Sequence, residues 1–215
     1  MPADPTTTRP YRGVPQDERR AQRRRQLVAA GVAVYGQRGY RHATVKAVCA
    51  AAGLTERYFY ESFPNSEALL IACFETVTCA VLEEIMAAAR DAGGGRPGRA
   101  RAMLQTYFAA LQRDPPSARV FLVEIRGVSR AVDRAFDVAL RDIGRQVARV
   151  IAPPGAPADP LLQAGIVGGV IHIALRWIED GYAPPIEDVT GSALRLAVVL
   201  ARPVRDAPPE VRATP

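Results

Sequence analysis

The chain has 215 residues, 48% of them hydrophobic, and a formal net charge of +6, enough apolar material for one large domain or for a small domain joined to a larger one. Three cysteines (Cys49, Cys73 and Cys79) and two histidines (His42 and His172) exclude a disulfide scaffold and leave too few ligands for a histidine metal site; the thiols read as small core side chains. No uninterrupted apolar run reaches the roughly 18–20 residues of a membrane span and the N-terminus lacks a secretion-signal stretch, so no membrane partner is expected and the expected location is cytoplasmic.

Residues 1–16 carry four prolines and three consecutive threonines, which reads as a disordered tail. Helical periodicity begins at Asp17, with Leu27, Gly31, Val34 and Tyr35 on one face and Gly36 and Gly39 ending the helix. Thr44 is a good N-cap for a second, short helix whose inner face is Val45, Val48, Cys49 and Ala52. Gly53 stops it. Thr55 is a further N-cap, for a third helix over Glu56 to about Ser62, and Phe63-Pro64-Asn65 is a break. Ser66-Glu67 then opens a long helix to about Arg90, followed by a flexible linker, Asp91–Gly98. Helical patterns recur over about 98–113, 116–127, 130–151, 160–180 and 186–201, and the chain frays from Val204. No strand alternation is present. The expected fold is all-α: a three-helix head over 17–66, a six-helix body over 67–203, and tails at 1–16 and 204–215.

Charge divides along the same line. Residues 1–65 hold eleven basic and five acidic side chains, so the whole net charge of +6 lies there and the rest is neutral. A polyanion partner is therefore expected at the head alone. Two short helices joined at a glycine and preceded by a longer one are the layout of a helix-turn-helix. In that layout the middle helix crosses the phosphate backbone with its N–H-rich end, and the next helix presents its N-terminal residues to base edges in the major groove. The chemistry points to Thr44, Val45 and Lys46 at the backbone, with the Tyr60 hydroxyl. It points to Thr55, Glu56, Arg57 and Tyr58 at or beside base edges, with Arg57 suited to guanine. Glu61 makes the helix less basic. Tyr58 serves equally as a surface contact or as packing. Arg41 is a further basic candidate. Arg23, Arg24 and Arg25, within the run Arg19–Arg25, are either a groove-reaching arm or a solvated charged face.

The segment ATVKAVCAAAGLTERYFYESFPNSEALL, preceded by YGQRGY, resembles the DNA-binding head of the TetR (tetracycline-repressor-like) family. The resemblance rests on Gly39, Tyr40, Thr44, Val45, Val48, Ala52, Gly53, Leu54, Phe59, Tyr60, Phe63, Glu67 and Leu69. The chain departs from the pattern at Cys49, Arg57, Ser62 and Ser66, where Ala, a small residue, His or Tyr, and Lys are usual. The resemblance implies a homodimeric transcriptional regulator of a double-stranded DNA operator. It implies a repressor whose body binds a small-molecule effector and dimerises through the last two helices. An activator, or a regulator independent of ligand, is the alternative.

For the dimer, Gly165, Gly168 and Gly169 suit close backbone approach (or space left for a ligand), and Leu194, Val198 and Ala201 form an apolar stripe. For an apolar effector the candidates are Phe74, Tyr107, Phe108, Phe121, Glu124, Phe136, His172 and Trp177. Core packing is the other reading of each aromatic, and a structural ion pair the other reading of Glu124. No cofactor or metal is expected, and no catalytic constellation, phosphate loop or nucleophile motif argues for an enzyme.

Overall fold

The computed structural model describes residues 16–153, 155 and 158–200. Among them the backbone forms nine α-helices and no strand. The expected tails lie outside the described residues, apart from Gln16, and so does Ala201.

The head comprises α1 (Gln16–Arg38), α2 (Val45–Ala52) and α3 (Glu56–Ser62). Asp17 and Glu18 in the first turn of α1, and Arg38 in its last, oppose the helix dipole. Its apolar face buries Leu27, Val28, Val34 and Tyr35. These meet Val48, Phe59, Phe63 and Leu69 in one hydrophobic cluster, each large side chain contributing about 1.5–3 kcal/mol by leaving water.

Helix α4 (Ser66–Asp91) begins in that cluster, capped by Asn65, whose Oδ1 accepts from Ala68 N at 2.9 Å. Leu69, Leu70 and Cys73 are buried on it. The Cys73 thiol donates to Val28 O at 3.4 Å, and burial pushes its pKa up to about 12. It is a protonated space-filler between α1 and α4; Cys49 is buried as well, whereas Cys79, expected in the core with them, is exposed. The same helix then runs on into the body, so head and body share a core across the expected boundary at residue 66.

The body adds α5 (Gly95–Arg113), α6 (Pro115–Arg119), α7 (Arg130–Ile151), α8 (Pro160–Glu179) and α9 (Ile186–Leu200). Helix α4 packs on α5 and α7, α5 on α9, and α8 on both α7 and α9. Two expectations need correction. The linker is short: α4 continues through Asp91 and α5 starts at Gly95, with Pro97 in a first turn that needs no N–H from it. The helix over 116–127 is broken after α6, where Val120–Glu124 widen into a π-helical turn. That turn lets Val120, Phe121 and Leu122, three successive apolar residues, all be buried. Helix α8 passes for a membrane span by length and composition alone, with a mean hydropathy of 1.6 over its best window, although Gln163, His172 and Arg176 interrupt its apolar run. Only 17% of that window is buried in the chain.

Gly36 does not end α1 but lies inside it, against the body. A Cβ there would sit 2.3 Å from Pro116 O and 2.5 Å from Pro116 Cα. The neighbour is backbone, which cannot rotate away. Gly36→Ala is therefore expected to cost about 1–3 kcal/mol, the usual penalty of overpacking. Equilibrium unfolding in urea checks it, with a lower midpoint at an unchanged slope as the expected result.

Candidate nucleic-acid interface and ligand cavity

The turn between α2 and α3 follows from its residues. Thr44 caps α2, its Oγ1 accepting from Ala47 N at 3.1 Å. At the other end Gly53 is left-handed (φ 65°), and Leu54 N–H reaches back to Cys49 O at 2.9 Å while Gly53 N–H reaches Ala50 O at 3.2 Å. This pair of bonds closes the helix and turns the chain sharply. Thr55 stands at the N-cap of α3 but makes no side-chain capping bond. Its exposed hydroxyl is left facing outward at the start of the third helix.

From there α3 divides into two faces. Phe59 is fully buried and Leu54 half-buried against the head core. Glu56, Arg57 and Tyr60 are exposed, as is Lys46 on α2. Tyr60 is 58% exposed, a large aromatic with its hydroxyl in solvent. Thr44, Lys46, Thr55, Glu56, Arg57 and Tyr60 thus remain available to a partner. Val45 is half-buried and packs on the core.

Glu61 organises the end of α3. It pairs with Arg57 at 3.0 Å and lies 3.9 Å from Arg23. The Arg57 side chain is 83% exposed, so the pair contributes under about 1 kcal/mol and the guanidinium is free to exchange it for a better acceptor.

The arginine run is no arm among the described residues. It belongs to α1, and it serves α3. Arg20 donates to Glu61 O and Arg24 to Ser62 O, both at 3.1 Å. These are the last carbonyls of the third helix, which the helix itself leaves without donors. Arg24 also lies 4.1 Å over the Phe63 ring, and Arg23 lies 4.5 Å over Tyr58. Tyr58 is half-buried, its ring covered by Arg23. Arg25 is exposed. Arg41 turns the other way and donates to Gly127 O at 3.4 Å, on the body side.

Glu124 forms a joint between head and body. Its carboxylate accepts from Tyr40 N at 2.7 Å and pairs with Arg119 at 2.9 Å. It makes a structural ion pair and does not line the cavity of the body. Ser129 donates to Glu67 Oε2 at 2.8 Å and so ties the start of α7 to the first turn of α4.

The body holds a partly open cavity of about 110 Å³ between α4, α5, α7 and α8. Of the candidate ligand residues, Tyr107 and Phe121 line it. Phe74 stands behind Phe121, stacked at 5.8 Å, and Phe136 tilts against Phe74 at 5.7 Å. Phe108 packs edge-on against Trp177 at 5.5 Å, while Trp177 Nε1 donates to Pro184 O at 2.7 Å and so fixes the α8–α9 turn. His172 is exposed on α8. Most of the wall is aliphatic, including Val81, Met103, Leu104, Ile143 and Val170. Sequence patterning missed these residues because an aliphatic wall and an aliphatic core have the same periodicity.

On α8, Gly169 is used within the chain: a Cβ there would meet Leu196 Cδ2 at 2.5 Å. Gly165 and Gly168 are exposed, with nothing within 4 Å of an added Cβ. Leu161 is 85% and Val198 47% exposed beside them, while Leu194 is half-buried.

Residues 27–73 match the family model of bacterial regulatory proteins, tetR family. No curated protein matches the sequence. Among solved structures the chain is similar to the fatty acid degradation regulator FadR from Bacillus halodurans, at a TM-score of 0.71 and 19% identity, over 82% of this chain and 94% of that one. It is similar to FadR from Bacillus subtilis in complex with stearoyl-CoA, at a TM-score of 0.66 and 19% identity, over 83% and 99%. A tetR-family transcriptional regulator from Streptomyces coelicolor gives a TM-score of 0.68 at 17% identity, over 84% and 80%.

The joint is testable apart from any ligand. Glu124→Ala leaves Tyr40 N–H without its acceptor and Arg119 without its partner, and is expected to cost about 1–3 kcal/mol. Hydrogen exchange checks the location: protection should fall at Tyr40 and in Val120–Glu124 more than in α2 and α3.

Proposed function

Because residues 27–73 are a TetR-family head on a body of the all-helical TetR fold, we propose that the protein is a homodimeric, sequence-specific DNA-binding regulator. It represses from a pseudopalindromic operator and is released by a small, mostly apolar ligand. The observation that carries this reading is the exposed face of the second and third helices. Thr55, Glu56, Arg57 and Tyr60 stand outward while Phe59 anchors α3 from behind. Lys46 and Tyr60 meet phosphate, Arg57 a guanine edge, and Glu56 accepts from cytosine N4.

The dimer is supported by what α8 leaves uncovered. An apolar helix with 17% of its best window buried, carrying Leu161, Gly165 and Gly168 on its exposed side, calls for a partner surface. Helices of two copies meeting at these glycines would bury it and hold two heads at a fixed spacing.

The effector reading rests on the cavity. Its volume of about 110 Å³ is on the scale of the roughly 150 Å³ apolar cavities that stay dry and admit a benzene-sized molecule. A ligand that binds the released form better than the DNA-bound form shifts the population by its differential affinity. The stearoyl-CoA of the Bacillus subtilis FadR structure supports a second reading, an acyl chain with a charged head. Arg96, Arg99 and Arg149 line a surface groove next to the cavity lining on α5 and α7, where such a head would be neutralised.

Binding to DNA selected from a random library, titrated with salt, checks the interface. Lys46→Ala should weaken every sequence alike and make the salt slope shallower by about one. Arg57→Ala should cost about 1–3 kcal/mol on the selected site and little on random DNA. Two wild-type-like variants would remove the interface. For the dimer, Gly168→Arg should give a folded monomer by sedimentation equilibrium that has lost cooperative binding to the two-fold site. A dimer of unchanged mass would place the interface elsewhere.

A further inference from the structure

Between head and body lies a second cavity, partly open and of about 270 Å³, and its wall is charged. The head contributes Arg38 from the end of α1, and Arg41 and His42 from the turn before α2. The body contributes Arg119 from the end of α6, with Glu124 and Arg126 beyond it. Four guanidiniums thus share one small cavity with one carboxylate. The body as a whole is neutral, so Arg119 and Arg126 are a local concentration of charge. All four arginines are exposed. Water screens part of their repulsion, and an incoming ion can reach them.

The protein's own carboxylates do not compensate them. Glu124 pairs with Arg119 at 2.9 Å and accepts from Tyr40 N at 2.7 Å. Arg38, Arg41 and Arg126 form no ion pair among the described residues. Arg41 reaches a carbonyl, Gly127 O at 3.4 Å, and Arg126 lies 5.8 Å from the centre of the Phe136 ring. On the flanking helices, Asp133 accepts from Gly127 N and Glu67 from the Ser129 hydroxyl, and neither lines the cavity. Three planar N–H forks are left without an anionic acceptor, and such forks match phosphate oxygens in pairs. The space is near the roughly 300 Å³ of the smaller ligand clefts. Half its wall is the body, which suits a small molecule and not a duplex.

We propose that this cavity binds a small multivalent oxyanion, a di- or polyphosphate, clamped by Arg38 and Arg41 of the head and by Arg119 and Arg126 of the body. The ion bridges the two parts across the joint that Glu124 already makes. Glu124 opposes it, by its own charge and by holding Arg119. The site is separate from the apolar cavity and independent of what that cavity takes.

Inorganic pyrophosphate is the probe, titrated calorimetrically into the full chain with sodium chloride holding the ionic strength constant. Saturable binding is expected. Arg126→Gln and Arg38→Gln should each weaken it about tenfold, the size of one charge-assisted hydrogen bond. Arg101→Gln, exposed on α5 and outside the cavity, should leave it unchanged. Glu124→Gln keeps an acceptor for Tyr40 N and removes the opposing charge, so it should strengthen binding. In the wild type, pyrophosphate should raise hydrogen-exchange protection at Tyr40 and in Val120–Glu124.

Pyrophosphate that shows no saturable binding at constant ionic strength would overturn the proposal. So would an equal loss in Arg101→Gln, or weaker binding by a folded Glu124→Gln. An Arg126→Gln variant that keeps pyrophosphate but loses affinity for every DNA sequence would assign the arginines to the DNA backbone and overturn it too. ADP in place of pyrophosphate separates a free polyphosphate from one carried on a nucleoside. Affinity retained admits both, affinity lost leaves the free ion, and either result supports the site.

Discussion

The backbone of Gly36 lies against the backbone of Pro116, and the joint between head and body is built on that contact. It brings α1 of the head onto α6 of the body with no side chain between them. The five-residue turn that follows α6 carries Phe121 in the cavity wall and Glu124 on the Tyr40 amide. One short segment, Pro115–Glu124, therefore touches the cavity at one point and the head at two. Close-packed contacts of this kind move as units rather than deforming gradually. The wide turn at Val120–Glu124 is the least regular stretch of backbone between the two sites.

The second constraint is electrostatic. The head holds all of the net positive charge, yet its densest arginine cluster, though mostly exposed, is partly engaged within the head. Arg20 and Arg24 complete the open C-terminal end of α3, and Arg23 covers Tyr58 while approaching Glu61. The long first helix is thus the scaffold that holds α3. The exposed chemistry is left to a few side chains at the start of α3 and to Lys46. Arg57, paired to Glu61 in solvent, is held loosely enough to change partners.

The parts of this arrangement that a sequence reveals are those set by local rules. Thr44 and Gly53 mark the ends of α2 because capping and left-handed backbone are one-residue properties. The same rules misled at Thr55, whose hydroxyl makes no cap, and at Gly36, kept small by a residue 80 positions away rather than by a helix end. Glu124 was ambiguous because its partner, Tyr40, is 84 positions distant. Periodicity placed the aromatic residues inside but could not say which of them face a void: Phe108 and Trp177 lock one another, while Tyr107 faces the cavity. In α8 the glycines were visible from the start, but their division of labour was not. Gly169 accommodates Leu196 of the same chain, and Gly165 and Gly168 remain open.

The central claim is that two copies of the exposed α3 face read a two-fold DNA site. Hydroxyl-radical footprinting on genomic fragments that the protein selects tests it most directly. The account predicts two protected patches on one face of the duplex, related by a dyad and centred about one helical turn, 10–10.5 base pairs, apart or a multiple of it. Uniform protection of any DNA, or a single patch without a dyad at saturating protein, would contradict it.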